Sequence, residues 1–264
     1  MFKDLSIIIT LFNTPKNILK ELKEFKGIKL IIFNQSNKNS LSELKKILNF
    51  DFDYHFSNKN IGFSKSTNFL ISKVKTKYFL FTQPDVVIKK KSIKLLLDAI
   101  KKDKSTIFAG PNFKKTDLKN KKIIEKNYLD AACMICNLKM VKKIGFFDEN
   151  YFLYWNDDDL MKRVNLSKYK MVQVLRAKAL HKSSTSAKSS FSIELIRSEQ
   201  LKFGELMFDY KFKKLRFLKI FRQLIQSIVR TFLFIFVFNK NNIIRNIGYS
   251  FGILKFLLFY LKKG

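Results

Sequence analysis

Two cysteines, three prolines, two histidines and one tryptophan are all that 264 residues hold of those types, and 21 acids face 52 lysines and arginines. Each scarcity excludes something. Cys133 and Cys136 are too few for a disulfide framework. They lie three apart in an apolar run, 131–136, that looks like a strand, where such residues face opposite ways. No second pair of zinc ligands stands near them, so they are expected to be buried thiols in a reducing compartment. No signal peptide opens the chain, since residues 1–4 lead straight into a strand. No segment offers the ~20 uncharged apolar residues of an ordinary membrane span; the longest clean run is 231–238. No RNA- or DNA-binding motif accompanies the basic charge, and the lysines are dispersed.

What the chain does have is charge and apolar bulk. The net charge is +31, 47% of residues are hydrophobic and 29 are Phe. A core is easily built, and the length suits one large domain plus an appendage. So strong a charge implies anionic partners: nucleic acid, anionic lipid or phosphate-bearing substrates. Part of it is compositional, because Lys, Ile, Asn and Phe are all abundant.

Residues 5–12 form a continuous apolar run, as expected of a strand buried on both faces. Residues 28–33, 53–57, 78–82 and 106–109 are further strands. Helical patterns run through Ile18, Leu19, Leu22 and Phe25, then over 41–48, 61–74 and 92–101. Strands alternating with helices imply an α/β fold with a mainly parallel, doubly wound sheet. Pro15, Pro84 and Pro111 each follow a predicted strand. In such sheets ligands bind beyond the carboxyl ends of the strands, and those ends carry Asn13, Asn34, Asn37, Asp85 and Asn112. Loops are polar in any case; that objection holds for each residue singly and less well for the set. Residues 113–126 form a Lys-rich surface excursion. A strand at 131–137, a short helix at 139–144, strands at 170–175 and 177–180, and a helix over 190–210 complete a domain spanning 1–210.

Residues 211–264 differ in composition. Segments 217–238 and 243–261 are rich in Phe, Leu and Ile but carry Lys219, Arg222, Arg230, Arg245 and Lys255. Two basic amphipathic helices lying in a membrane interface fit this pattern; the alternative is that they pack on the domain as ordinary helices. Their apolar residues are too many for a single packing stripe.

The most unusual stretch is 151–160. Its aromatic run ends in Asn156, Asp157, Asp158 and Asp159, and a helical pattern follows. Acids packed side by side raise one another's pKa. The plain reading is an N-cap and an acidic first helical turn, which suit the helix dipole. The sharper one is a catalytic base at a loop-to-helix junction, which needs other polar residues to converge there.

Five pieces, 7–15, 31–39, 60–68, 79–85 and 145–163, together resemble the inverting family-2 glycosyltransferases, most closely their rhamnosyltransferase-like branch. There the third piece is usually Asn-x-Gly-Phe, then small residues and an Asn; here Asn60, Ile61, Gly62 and Phe63 lead to Asn68. The fourth is usually an apolar strand ending Asn-Pro-Asp; here it ends Gln83, Pro84, Asp85. The fifth is usually Gly-Gly-Phe-Asp-Glu, aromatics, then Glu-Asp-x-Asp-Leu and an Arg. Here Gly145, Phe146, Phe147, Asp148 and Glu149 precede Tyr151 to Trp155, then Asn156, Asp157, Asp158, Asp159, Leu160 and Arg163. The resemblance covers about residues 5–203; each motif alone is weak, and order and spacing make the match.

The resemblance implies a GT-A type nucleotide-sugar-binding domain. It implies that Asp85 holds a divalent cation, Mg2+ or Mn2+, against the donor diphosphate, where a hard carboxylate suits the metal and the metal neutralises the departing nucleotide. Asp157 matches the general base that takes a proton from the acceptor hydroxyl as it attacks the anomeric carbon. Trp155, Asp158 and Asp159 fall on the acceptor side, Asp159 orienting acceptor or helix groups. Thr10, Asn13, Asn34, Asn60, Gly62, Asn68 and Gln83 line the donor site beside Asp85. His181, after a strand and before the Ser-rich 182–186, completes the metal or diphosphate site; His55, within a strand, is expected to be structural. The implied activity moves a sugar, rhamnose or another hexose, from a nucleotide-diphosphate donor to a hydroxyl of a surface polysaccharide or lipid-linked glycan. The implied place is the cytoplasmic face of the cell membrane, held peripherally on anionic lipid, with no nucleic acid as partner.

Four positions depart from the pattern. Asn34 and Gln35 replace the usual Asp-Asn, and an amide presents a nucleobase with a different donor–acceptor pattern. Gln83 replaces Asn or Asp, and Asn156 replaces Glu. Two other readings stay open: a catalytically degenerate relative serving as a membrane scaffold, and a basic nucleic-acid-binding protein, which the charge alone permits.

Overall fold

The computed structural model describes residues 2–114, 122–182 and 190–263. They form two compact units, Met1–Asp148 with Leu160–Lys188, and Glu149–Asp159 with Ser189–Gly264.

The first unit is built on nine strands: β1 (Leu5–Leu11), β2 (Lys29–Asn34), β3 (Asp53–Phe56), β4 (Tyr78–Thr82), β5 (Val86–Ile88), β6 (Thr106–Asn112), β7 (Ile123–Glu125), β8 (Cys133–Asn137) and β9 (Lys170–His181). Their order is β3-β2-β1-β4-β8-β6-β9-β5, with β7 also on β9. Strands β1 to β4 pair in parallel, and β6 pairs parallel with β9. Strand β8 runs antiparallel between β4 and β6, so those two share a direction, while β5 and β7 run against β9. The sheet is therefore mainly parallel, with β8, β5 and β7 reversed.

Alternation explains why both faces are covered. In β1, Leu5, Ile7, Ile9 and Leu11 join one buried cluster and Ile8 the other; in β2, Leu30 and Ile32 oppose Ile31 and Phe33. Helices fill the two faces: α1 (Lys16–Leu19), continued by a 3-10 turn at Lys20–Phe25, then α2 (Leu41–Leu48), α3 (Phe63–Lys73), α4 (Lys90–Lys102) and α5 (Leu138–Ile144). Helix α6 (Asn156–Asn165) gives its first turn to the second unit and its apolar residues Leu160, Met161 and Val164 to the core of the first. Cys133 and Cys136 are free, buried and in opposite clusters. Burial pushes the Cys133 thiol up to about 12 and Cys136 well above its usual value, so neither is a ready nucleophile.

The break expected at Arg176 does not occur: β9 is continuous, and its pairing with β6 shifts register between Pro111 and Asn112. Of the surface excursion, residues 115–121 lie outside the described residues, and the rest includes β7. The Ser-rich positions 183–186 after His181 also lie outside them.

The second unit is helical: α7 (Phe191–Lys211), α8 (Phe217–Phe236) and α9 (Lys240–Leu261). Its core gathers Tyr151, Phe203, Leu206, Met207, Ile220, Ile253 and Phe256. Helix α9 lies tightly on α7 because Gly248 and Gly252 carry no side chain. A Cβ at Gly248 would stand 2.5 Å from Ser198 Cβ, and one at Gly252 2.4 Å from the Glu199 carbonyl oxygen. By length and composition α9 is the one helix among the described residues long and apolar enough to cross a membrane, with a third of its most apolar window buried inside the unit. Arg245 and Lys255 kept it from counting as an uncharged run, and Lys255 Nζ pairs with Glu199 Oε1 at 2.6 Å.

Candidate active site

In the first unit the candidate residues collect at the carboxyl ends of the parallel strands. The loop after β4 carries Gln83 and Asp85, then turns into β5, whose register sets Val86 against His181 of β9. That pairing brings two residues 96 positions apart together: His181 Nε2 lies 3.6 Å from Asp85 Oδ1. Asp85 is 1% exposed, and its Oδ1 accepts no hydrogen bond. The pairing with Asp85 raises the His181 pKa above its ordinary value; partial burial opposes this, and Coulomb attraction to Asp85 and Asp130 adds to it.

A buried carboxylate oxygen without a hydrogen bond is costly unless a cation meets it. Oxygen and imidazole nitrogen facing one another fit a divalent cation that takes further ligands from phosphate and water. No group of three or more His, Cys, Asp or Glu side chains stands together as a metal site among the described residues. Asp85 and His181 would thus supply two protein ligands at most.

The loops after β1 and β2 are tied together. Asn13, with φ of 48°, donates its backbone N–H to Ser36 Oγ at 2.7 Å. Asn34 is buried, and its amide serves its own loop. Nδ2 donates to Ser40 Oγ at 2.9 Å and the Tyr54 hydroxyl at 3.0 Å, and Oδ1 accepts from the Ser36 N–H. These loops enclose a cavity of about 120 Å³ bordered by Thr14, Asn34, Ser36, Lys38 and Glu43. Thr14 Oγ1 there is buried without a hydrogen-bond partner. Thr10 Oγ1 donates to Ser66 Oγ of α3 at 3.4 Å.

Asn60 and Gly62 shape the entry to α3. Asn60 Oδ1 accepts from the Gly62 N–H, and Gly62 sits at φ of 86°, where a side chain is strained. Gln35, beside Asn34 at the position expected to meet a nucleobase, accepts the Ile61 N–H through Oε1. Asn68, on α3, reaches the 145–148 loop: Nδ2 donates to the Phe147 carbonyl at 2.9 Å and Oδ1 accepts the Phe147 N–H at 3.1 Å. Arg163 grips the same loop, its guanidinium donating to the carbonyls of Ile144, Gly145 and Phe146. The Gly-Phe-Phe-Asp-Glu loop is thus held by an amide and a guanidinium, and Gly145 turns it at φ of 87°.

The acidic stretch belongs to the second unit. Tyr154 and Trp155 both adopt left-handed backbone, φ 64° and 59°, just before α6. Each costs about 1–2 kcal/mol for a bulky side chain, so packing must hold the turn. Trp155 supplies it: the indole occupies the space a Cβ at Gly204 of α7 would need, 2.8 Å from Trp155 Cδ1, and packs at a tilt on Phe208, ring centroids 5.3 Å apart. Trp155 Nε1 and Asn156 Nδ2 are buried without hydrogen-bond partners.

The three acids then diverge in environment. Asp159 is fully buried and paired with Lys211 of α7 at 2.6 Å, a partner the sequence did not reveal. Its charge is neutralised within the unit. Asp157 and Asp158 are half-buried. Burial pushes Asp158 up to about 6, and the adjacent Asp157 adds to the rise by repulsion and by hydrogen bonding to the protonated form. Asp158, pushed up to about 6 beside Asp157, is suited to exchange a proton near neutral pH.

The structure therefore brings together Asp85 with His181, and Asn13 with the Asn34 loop, in one unit. It groups Trp155, Asn156, Asp157, Asp158 and Asp159 in the other.

A family model described as Glycosyl transferase family 2 matches residues 6–172. A search of curated protein sequences finds no match. Among solved structures, S. aureus TarS is similar at 14% identity and a TM-score of 0.54, over 74% of this chain and 39% of that one. A Pyrobaculum calidifontis mannosyltransferase, in complex with GDP-Man and Mn2+, is similar at 9% identity and a TM-score of 0.59, over 78% of this chain and 64% of that one. GalNAc-T7 with UDP, GalNAc and Mn2+ is similar at 12% identity and a TM-score of 0.55, over 76% of this chain and 46% of that one. This chain spans less than two thirds of the length of each. At these identities the likeness shows the fold, which is of the GT-A type expected.

Proposed function

The chain belongs to glycosyl transferase family 2 and is a glycosyltransferase, and on that premise we propose that it transfers a hexose, with inversion, from a nucleotide-diphosphate donor to a glycan hydroxyl. Single displacement needs three things: a place for the donor diphosphate, charge neutralisation on the leaving nucleotide, and a base for the attacking hydroxyl. The observation that carries the reading is the pair Asp85 and His181, a buried carboxylate oxygen without a hydrogen bond facing an imidazole at 3.6 Å. They would hold a divalent cation, which when bound supplies the positive charge that stabilises the departing diphosphate. Two structures of similar fold contain both Mn2+ and a nucleotide or nucleotide sugar, which supports the assignment.

The cavity between the β1 and β2 loops, with the unpartnered Thr14 hydroxyl, suits part of the donor's nucleoside. Asn34 positions that loop through its own hydrogen bonds rather than offering its amide to the base. Asp157 takes the proton from the acceptor hydroxyl, and Asp158, protonated below about pH 6, governs how readily it does so. Asp159, paired with Lys211, anchors the acidic turn. The rhamnosyltransferase-like motif order supports a deoxyhexose or hexose donor. The basic, Phe-rich C-terminal helices support an acceptor met at the cytoplasmic face of the membrane: a surface polysaccharide or lipid-linked glycan.

The test is turnover of a panel of nucleotide sugars with Mn2+ and with EDTA, in the parent and in Asp157→Asn. The reading expects turnover only with metal and its collapse in the variant; undiminished turnover in Asp157→Asn would remove the base assigned here.

A further inference from the structure

Helix α8 is built inside out. Only Ile220 and Ser227 of its side chains are buried. The row that packs within the unit carries hydroxyls: Ser227 Oγ lies 2.8 Å from Ser250 Oγ of α9 and donates to the Leu224 carbonyl, and Thr231 Oγ1 donates to the Ser227 carbonyl. Apart from Ile220 and the partly buried Leu224, which join the core, the apolar side chains point the other way. Leu218 is 88% exposed and Phe236 79%, with Phe221, Ile225, Phe232 and Leu233 exposed between them. The turn after α8 adds Phe238, 91% exposed.

A third row, Lys219, Arg222, Gln226 and Arg230, recurs every three or four residues and so follows one flank of the helix. Lys219 pairs with Asp209 at 3.3 Å. Arg222 and Arg230 have no acidic partner among the described residues. Soluble proteins seldom expose so large an apolar face. Small and hydroxylated residues inside with apolar ones outside is how helices pack when lipid surrounds them.

We propose that this face of α8 lies in the plane of an anionic bilayer, its Phe, Leu and Ile row in the acyl boundary and Arg222 and Arg230 at the phosphates. The proposal sharpens the membrane part of the reading above by naming the docking surface, and it is independent of the transfer chemistry. Charge selects the occupant. Residues 212–264 contain eleven lysines and arginines and no Asp or Glu, so a second copy would bring like charge against like, whereas anionic headgroups complement both rows. It also separates the two apolar helices. Although α9 passes a span test on composition, its Gly248 and Gly252 lock it to α7. The lipid-facing element is therefore α8, aided by the narrower exposed row Phe251, Leu254 and Leu258 of α9.

The test is flotation of the full chain with phosphatidylcholine vesicles, with and without phosphatidylglycerol. The expected result is partition into the anionic vesicles at least about tenfold stronger than into neutral ones, reduced but not abolished by high salt. The triple variant Phe221→Ser, Ile225→Ser, Phe232→Ser should lose about tenfold or more of that partition. Its melting temperature and its monomeric state in vesicle-free buffer should be unchanged. Three results would overturn the proposal: flotation of the variant equal to the parent's, equal partition into neutral and anionic vesicles, or no flotation of the parent together with a dimer that the variant abolishes. Nucleotide-sugar turnover on the same preparations keeps the two readings apart, since flotation without turnover sinks only the catalytic one.

Discussion

The two units solve the problem of apolar surface in opposite ways. In the first, β1, β2 and β4 are buried on both faces and helix α4 turns Ile93, Leu96, Leu97 and Ile100 inward, leaving its lysines to solvent. In the second, α8 turns Ser227 inward and leaves Phe221, Phe232 and Phe236 outside. Both segments look amphipathic in sequence. Periodicity locates an apolar stripe but does not say what covers it. Neighbours decide that: α4 meets a sheet, while α8 buries only Ile220 and Ser227, the latter against Ser250 of α9.

The acids follow a similar division. Asp85 is buried opposite a histidine with an oxygen left unbonded, and Asp159 is buried but neutralised by Lys211. Burial alone therefore does not distinguish the two acids; what faces them does, a lysine ammonium at 2.6 Å for Asp159 and only an imidazole at 3.6 Å for Asp85. The largest effect that would break this contrast is that of Asp157→Asn. Steady-state kinetics should show a loss of about 10²–10⁴-fold in turnover, with thermal unfolding unchanged. If Asp159→Asn instead gave the larger kinetic loss at unchanged stability, the roles of the two acids would have to be exchanged.

Next in size, Asp85→Ala should weaken Mn2+-dependent binding of a nucleoside diphosphate by about tenfold to a hundredfold, measured by calorimetry. Equal affinity in the presence and absence of the metal would leave the Asp85–His181 pair without a function. Arg163→Met tests a structural claim. Removing three charge-assisted bonds to the 144–146 carbonyls should cost about 1–3 kcal/mol in chemical denaturation. A cost near zero would mean that Asn68 alone holds the loop.

The smallest effect concerns pH. The folded Asp158 carboxyl, pushed up to about 6, keeps its proton where an unfolded one has lost it. The fold thus binds more protons between about pH 4 and 6, and this group's contribution to stability is complete below that window and declines as pH rises through it. Protonated Asp158 hydrogen-bonds Asp157 and blunts it as a base, so turnover should rise with pH across about 6. In Asp158→Asn that step should vanish from the pH–rate profile; a profile identical to the parent's would detach Asp158 from the chemistry.

Much of this was legible in the chain. The strands at 5–12, 28–33 and 78–82 announced themselves as unbroken apolar runs, and Pro15 and Pro84 marked the ends of the first and third, whereas Pro111, expected after a strand, lies within β6. The 3-residue strands β5 and β7 are too short for any period to register, yet β5 is what sets His181 beside Asp85. Asn68 and Asn34 show the other limit. Their motif positions suggested ligand contacts, whereas their amides bind the Phe147 backbone and the Ser40–Tyr54 loop. A hydrogen bond across 79 positions leaves no local trace in sequence. Lys211, one lysine among many, gave no sign of its pairing with Asp159.

The account's central claim is a single displacement at the anomeric carbon with one carboxylate base. The configuration of the product formed from a defined nucleotide sugar, read by proton NMR of the new anomeric signal before mutarotation, tests it most directly. Inversion relative to the donor is the predicted result, and retention would contradict it.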